Sequence, residues 1–188
     1  MSLLGKIFAR RLPVTPVLRS LLLAGLLGLV GCASPAARTN RAPEKTAEMS
    51  AALARDLCAL GPEVDPWEAR SLADVACAGS VELAVQYRAT RPPWFHNMLV
   101  NAGLRSRGLC YHWANDLGEK LAVVPVGTLQ IHYVVARHAT PREHNALVIT
   151  RRGAPFSEGL VFDAWRRSGR LTWVPVKSDH YPWQLVPP

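Results

Sequence analysis

The feature that most constrains the fold is a change of apolar period near Pro125. Before it, Leu72, Val75, Ala76, Gly79, Leu83, Ala84 and Tyr87 recur at the three/four spacing that lays one stripe along an α-helix. Asp65-Pro66-Trp67-Glu68 supplies the start of that helix: Asp65 is suited to cap the first free N–H groups, Pro66 to the first helical position, and Glu68 stands where a capping box places its acid. One long helix is expected to about Arg88, with Gly79 permitting close packing and Pro92-Pro93 stopping it. A helix over 47–60, closed by Gly61-Pro62, precedes it, and a shorter one over 94–102, with Gly103 just past its end, follows. Cys110, Trp113, Ala114, Leu117 and Leu121 mark a further helical stripe. After Pro125 the pattern becomes that of strands, roughly 129–137, 144–151, 159–165 and 170–176, separated by turn-forming stretches. Helices followed by consecutive strands predict an α+β fold, a helical N-terminal half packed on an antiparallel β-sheet, rather than a doubly wound one.

The first residues set the compartment. Lys6, Arg10, Arg11 and Arg19 make a basic opening without an acid, and Leu21–Val30 is an unbroken apolar run. Such a run falls short of the about 20 residues needed to span a bilayer, so it reads as an export leader over residues 1–31. The leader ends in Leu29-Val30-Gly31-Cys32, which resembles the bacterial lipobox. That resemblance implies cleavage before Cys32, a diacylglycerol on its sulfur and acylation of the new amino group. Ala33 after the cysteine is similar to the sorting default for Gram-negative outer-membrane lipoproteins, which implies an anchor in the outer membrane facing the periplasm. Residues 32–45, rich in Ala, Pro, Arg and Asn, are expected to form a flexible tether, and residues 46–188 one domain with its own core.

Removing the leader also corrects the charge balance. Of 22 basic residues four lie in the leader, against 14 acids that all lie after it, so the mature excess is only four. An exported and mildly basic chain gives nucleic-acid binding little support. With Cys32 assigned to lipid, Cys58, Cys77 and Cys110 remain. If the first two helices form a hairpin about 61–65, Cys58 and Cys77 are offset by roughly 13 Å along the axis, beyond the ~7 Å Cα limit for a disulfide. Both are read as small core hydrophobes.

The chemistry-bearing segment is Arg107-Gly108-Leu109-Cys110-Tyr111-His112-Trp113-Ala114. A cysteine that opens a helix lies at the positive end of the helix dipole, where thiolate is favoured, and the same end offers unpaired N–H groups to an oxyanion. A nucleophilic thiol also needs a base, and the base an orienting acceptor. His144 opens the strand His144-Asn145-Ala146-Leu147-Val148-Ile149, and Asp163 interrupts the apolar strand Leu160-Val161-Phe162-Asp163-Ala164-Trp165. A hairpin turn centred between Gly153 and Ala154 places 144 opposite 163, within about 5 Å at Cβ.

Gly-x-Cys opening a helix, then His at a strand start, then Asp on the next strand, resembles the ordered signature of the transglutaminase-like, papain-related cysteine enzymes, over residues 107–165. The resemblance implies a transglutaminase-like core with Cys110 as nucleophile, His144 as general base and acid, and Asp163 as the residue that orients His144. It also implies attack on an amide or ester carbonyl and an acyl-enzyme, resolved by water or by an amine, on a protein or peptide. Trp94, Asn97 and Asn101 are candidates for an oxyanion donor by their position upstream of Cys110.

Other readings stand beside this one. Cys110 also fits a buried core thiol, and Asp163 a salt bridge to Arg166 or Arg167. His112, about 200° around the helix from Cys110, is expected to point away from the sulfur as a surface or supporting residue. His132 is expected on a sheet face, and Trp173, Tyr181 and Trp183 either close the core or line a peptide groove. No zinc-type spacing and no phosphate-binding glycine loop is present, so neither metal nor cofactor is expected. A silent lipoprotein that binds a peptide or envelope partner in the same cleft, and a hydrolase of cell-wall peptides, are the alternatives in function.

Overall fold

The computed structural model describes residues 35–186, with side chains from residue 44. The leader and Cys32 lie outside the described residues. Two compact units divide after Asn40, and the second, Arg41–Pro188, carries the architecture that follows. Among the described residues no helix is long and apolar enough to cross a membrane.

Helix α1 spans Pro35–Cys58, so the segment expected as an irregular tether is helical from Pro35 onward. Its Ala, Arg, Glu and Lys residues are good helix formers, and Pro43 removes only one backbone hydrogen bond from the turn it occupies. Leu53 and Leu57 are fully buried, Ala54 nearly so, and Ser50 is hydrogen-bonded to Asp74 of the next helix.

Helix α2, Pro66–Gln86, begins as its sequence dictates. The Asp65 carboxylate accepts from the N–H groups of Trp67 (2.7 Å) and Glu68 (3.1 Å). Glu68 departs from the capping box: its carboxylate reaches across to accept from the N–H of Gly127 (2.6 Å), the N–H of Thr128 (2.8 Å) and the Thr128 hydroxyl (2.6 Å). The acid that would have closed the helix start therefore pins the approach to the first strand. Gly79 faces α4, Cys110–Ala122, where an added Cβ would stand 2.8 Å from Lys120 Cδ and 3.6 Å from Leu117 Cδ1. Between them lies α3, Pro93–Asn101, which ends at Ala102 before Gly103 at φ +72°.

The five strands are β1 Leu129–Ala136, β2 His144–Arg151, β3 Leu160–Asp163, β4 Thr172–Pro175 and β5 Trp183–Leu185. They form one sheet in the order β4-β3-β2-β1-β5, with every neighbouring pair antiparallel. The α+β architecture expected from the period change is the one observed. Strand β5 was not legible in the sequence: three residues behind Pro182 are too few to show a period.

The sheet separates two apolar clusters. Leu129, Leu147, Ile149, Leu160 and Phe162 pack toward the helices with Leu72, Leu117 and Leu121. Val134, Ala136, Ala146, Val148, Val161 and Trp183 form the cluster on the other face. By strand alternation, His144 and Asp163 share this second face, whereas Asn145 points to the helices. Cys58 and Cys77 are free, and burial, helped by the neighbouring Asp74 charge, pushes the Cys77 thiol up to about 11.

Candidate active site

The loop before α4 is built to place Cys110. Gly108 sits at φ +121°, and an added Cβ would fall on the imidazole of buried His96, so the position excludes any side chain on two grounds. The His96 Nδ1 accepts from the Thr90 N–H (3.3 Å), which leaves Nε2–H to donate to the Arg107 carbonyl (3.0 Å). The Trp113 indole donates to the Gly108 carbonyl at 2.9 Å. His112 turns back to accept, through Nδ1, from the N–H groups of Gly108 and Leu109, both at 3.2 Å. Burial and the nearby Arg107 charge hold the His112 ring below its ordinary value, in the neutral form that an acceptor requires. Its work is to fix the turn. Arg107 is in turn clamped on Asp116, with Nε at 2.9 Å from Oδ2, and the Tyr87 hydroxyl donates to the same carboxylate.

Cys110 is the first residue of α4 and is half-buried. Its Sγ lies 3.8 Å from the Glu143 carbonyl and 3.9 Å from Asn145 Nδ2. The Asn145 amide is held in place by Glu143 Oε1 (3.1 Å), and Glu143 by the Ala139 N–H (2.8 Å) and His138 (3.2 Å). The His144 imidazole faces Asp163, with Nε2 at 2.6 Å from Oδ2, and is near enough to the thiol for its charge to be felt there. With Nε2 committed to the carboxylate, Nδ1 is the ring atom left for sulfur.

The β2–β3 register differs from expectation. Leu147 stands opposite Phe162, where the turn centre read from the sequence would have set it opposite Leu160. The pairing is two positions out of step, so the alternation survives and Asp163 still lies on the face of His144. The carboxylate then reaches the imidazole along a diagonal rather than straight across.

Asp163 is itself braced. Arg166 donates to it twice, from Nε to Oδ2 (2.6 Å) and from its backbone N–H to Oδ1 (3.0 Å). The far end of that guanidinium forks onto Asp179, with Nη1 at 3.1 Å from Oδ1, and the Trp183 indole donates to Asp179 Oδ2 at 3.0 Å. His144 is enclosed by the rings of Tyr181, Trp165 and Trp183, at centroid distances of 4.6, 4.9 and 5.5 Å. The Trp165 indole is tied to Asn97 Oδ1 at 3.0 Å.

Electrostatics follow from this geometry. Burial raises the Cys110 thiol, but the His144 hydrogen bond and charge and the Asn145 N–H groups outweigh it, so the net direction is below the ordinary 9.0. Burial likewise disfavours a charged His144, yet the Asp163 and Cys110 partners dominate and lift it from 6.5 to about 9. Both shifts act in the same direction, toward a thiolate beside an imidazolium.

The structure thus brings together Cys110, His144 and Asp163. The upstream oxyanion candidates lie elsewhere: Asn97 serves Trp165, while Trp94 and Asn101 face solvent. His132 pairs with Thr150 (2.9 Å) on the sheet, and the Trp173 indole with Asp56 (2.7 Å). Sequence reasoning missed Asn145, although it directly follows His144 and strand alternation turns it to the helix side. The Asp163–Arg166 pair is one of the readings the sequence offered, whereas Asp179 behind it is announced by no spacing. Among the described residues no group of three or more His, Cys, Asp or Glu side chains is gathered to hold a metal ion. In comparisons with known proteins, no family model, no curated protein and no solved structure matches the chain.

Proposed function

We propose that this protein is a cysteine hydrolase or acyltransferase of transglutaminase-like, papain-related type, acting on a protein or peptide amide from a lipid anchor at Cys32 in the bacterial envelope. The observation that carries the catalytic part is the buried His144 imidazole, held by the Asp163 carboxylate at 2.6 Å and near enough to Cys110, at a helix N-terminus, to lower its thiol. The anchor rests on the leader and Cys32 of the sequence.

In the reaction, the Cys110 thiolate attacks the substrate carbonyl carbon and the C=O electron pair moves onto oxygen. The Cys110 backbone N–H at the helix start and the Asn145 amide, 3.9 Å from Sγ, are the donors within range of that oxygen. On collapse the C–N bond breaks, and imidazolium His144 gives its proton to the departing amine. Water, or an amine acceptor, then loses a proton to His144 as it attacks the thioester, which frees the thiolate. Asp163 keeps the ring oriented and stabilises its charged form throughout.

The pKa directions give this reading a signature in pH. Alkylation by iodoacetamide needs only the thiolate, so its rate climbs to a plateau whose midpoint lies below the ordinary thiol value of 9.0. Acyl transfer also needs a proton on His144, which is raised above its free value, so the proton is held at neutral pH and lost as pH rises through about 9. The expected result is an alkylation profile that stays flat on the alkaline side and an acyl-transfer profile that falls there. Rates measured across pH with iodoacetamide and with a peptide p-nitroanilide, whose amine leaving group takes up the proton, test it. Alkylation with an ordinary thiol midpoint, unchanged by loss of His144, contradicts the reading.

A further inference from the structure

The turn after β3, residues 165–169, does more than carry Arg166. Its Ser168 hydroxyl donates to the Thr90 carbonyl at 2.9 Å, and Arg91 Nη2 donates to the Arg167 carbonyl at 3.4 Å. These two bonds fasten the turn against the start of α3 and leave a groove of about 490 Å³, walled by Arg91, Pro92, Pro93, Ser168 and the guanidinium-bearing Arg166, Arg167 and Arg170. Four arginines therefore line one hollow.

Only one of them is neutralised. Arg166 is committed to Asp163 and Asp179, both buried. Among the described residues, Arg91, Arg167 and Arg170 pair with no carboxylate. The adjoining hollow shares Arg91 and Arg170 and adds Lys45 and one acid, Glu48, which among the described residues pairs with neither arginine. Like charges held together in a concavity repel one another, and an anion seated between them relieves that repulsion while accepting several charge-assisted hydrogen bonds. The planar guanidinium fork matches the paired oxygens of a carboxylate or phosphate.

The groove also adjoins the triad. Arg166 lines the groove and also holds Asp163 with its Nε. Pro93 and Ser168 of the groove border a small void whose other lining residues include Trp165, which packs on His144, and Gly108, two residues before Cys110. A ligand held there lies beside the catalytic constellation without occupying it.

We propose that this groove is an anion subsite that binds a carboxylate- or phosphate-bearing group of the ligand, with Arg91, Arg167 and Arg170 as its donors. Its use in selecting an acidic substrate rests on the function proposed above; the binding itself does not. The test is calorimetric titration of the full mature chain at low ionic strength with inorganic phosphate in one arm and N-acetylated triglutamate in another. A neutral triglutamine peptide serves as the blank. At least one anion is expected to bind, with affinity falling as salt rises. The triple variant Arg91→Gln, Arg167→Gln, Arg170→Gln is expected to weaken that binding by roughly 10-fold or more. Because Arg91 also fastens the turn, the double variant Arg167→Gln, Arg170→Gln, which leaves that bond in place, is measured alongside and is expected to weaken binding in the same direction.

Phosphate binding alone identifies a phosphate site, and triglutamate binding alone a carboxylate site; either supports the proposal. No binding of either anion, equal binding of the triglutamine peptide, or unaltered binding by both variants overturns it. Since the readout needs no reaction at Cys110, a silent thiol in a protein that binds anions defeats only the enzymatic reading. A reactive thiol beside an empty groove defeats only this one.

Discussion

Replacing His144 by alanine is expected to slow acylation of Cys110 by a peptide p-nitroanilide at neutral pH by about 10³-fold, within the 10²–10⁴ range that a positioned acid–base group contributes. Two losses combine. The thiolate loses the hydrogen bond and charge that hold the Cys110 thiol below 9.0, and burial, the opposing influence, then raises it. The leaving group also loses its buried proton donor. Alkylation by iodoacetamide, which needs no proton donor, falls by the first loss alone, so the two reagents separate the roles. The variant keeps Asp163 paired with Arg166, so no carboxylate is stranded, and the protein is expected to fold. Far-ultraviolet circular dichroism and a thermal unfolding curve check that. Equal acylation of folded wild type and variant would remove His144 from the mechanism.

The second large effect is on stability. Asp163 is buried and holds two cations, His144 and Arg166. Asp163→Ala takes away the partner of both, and breaking a buried charged pair by removing one member costs about 3–5 kcal/mol. Arg166 retains Asp179, which places the expected loss at the lower part of that range. For a domain of this size the loss corresponds to a fall of roughly 10 °C in Tm.

The pH dependence changes with it. His144 is raised from 6.5 to about 9 on folding, so its stabilisation is complete below about 6.5 and is lost as pH rises through about 9. In Asp163→Ala that alkaline decline is expected to shrink, because the largest raising influence on the imidazole is gone. Denaturant unfolding of both proteins at neutral pH and near pH 10 reads the effect as a narrowing gap between them. An unchanged gap would mean that the pair does not couple folding to protonation.

How much of this was legible in the chain depends on whether the cause is local. The start of α2 was, because Asp65 and Pro66 act on the turn they begin. The Cys110 helix and the order His144 then Asp163 were, because strand phase and helix phase are written in neighbouring residues. The hairpin register was read two positions away from the observed one, since the Pro155–Gly159 turn sets it and no residue within the strands does. The alternation hid the discrepancy from the site, because a slip of two returns each side chain to the same face. Glu68 was misread for a different reason: its three donors at Gly127 and Thr128 come from the far side of the fold. The cage around His144 has the same origin. Tyr181 and Trp183 reach it because the short β5 pairs with the end of β1, Ala136 opposite Trp183. Asp163 was read as either orienting His144 or pairing with an arginine, and a carboxylate with two oxygens does both.

The central claim is that Cys110 forms a covalent acyl intermediate under the control of His144. Intact-mass spectrometry with peptide mapping, on the mature protein incubated briefly with p-nitrophenyl acetate at neutral pH, tests it most directly. A single acetyl group is expected on Cys110, formed faster than on Cys58, lost on further incubation, and formed more slowly in His144→Ala, whose thiol lacks the imidazole that lowers it. Acetyl groups spread over surface lysines with none on Cys110, or equal labelling of Cys110 with and without His144, would contradict it.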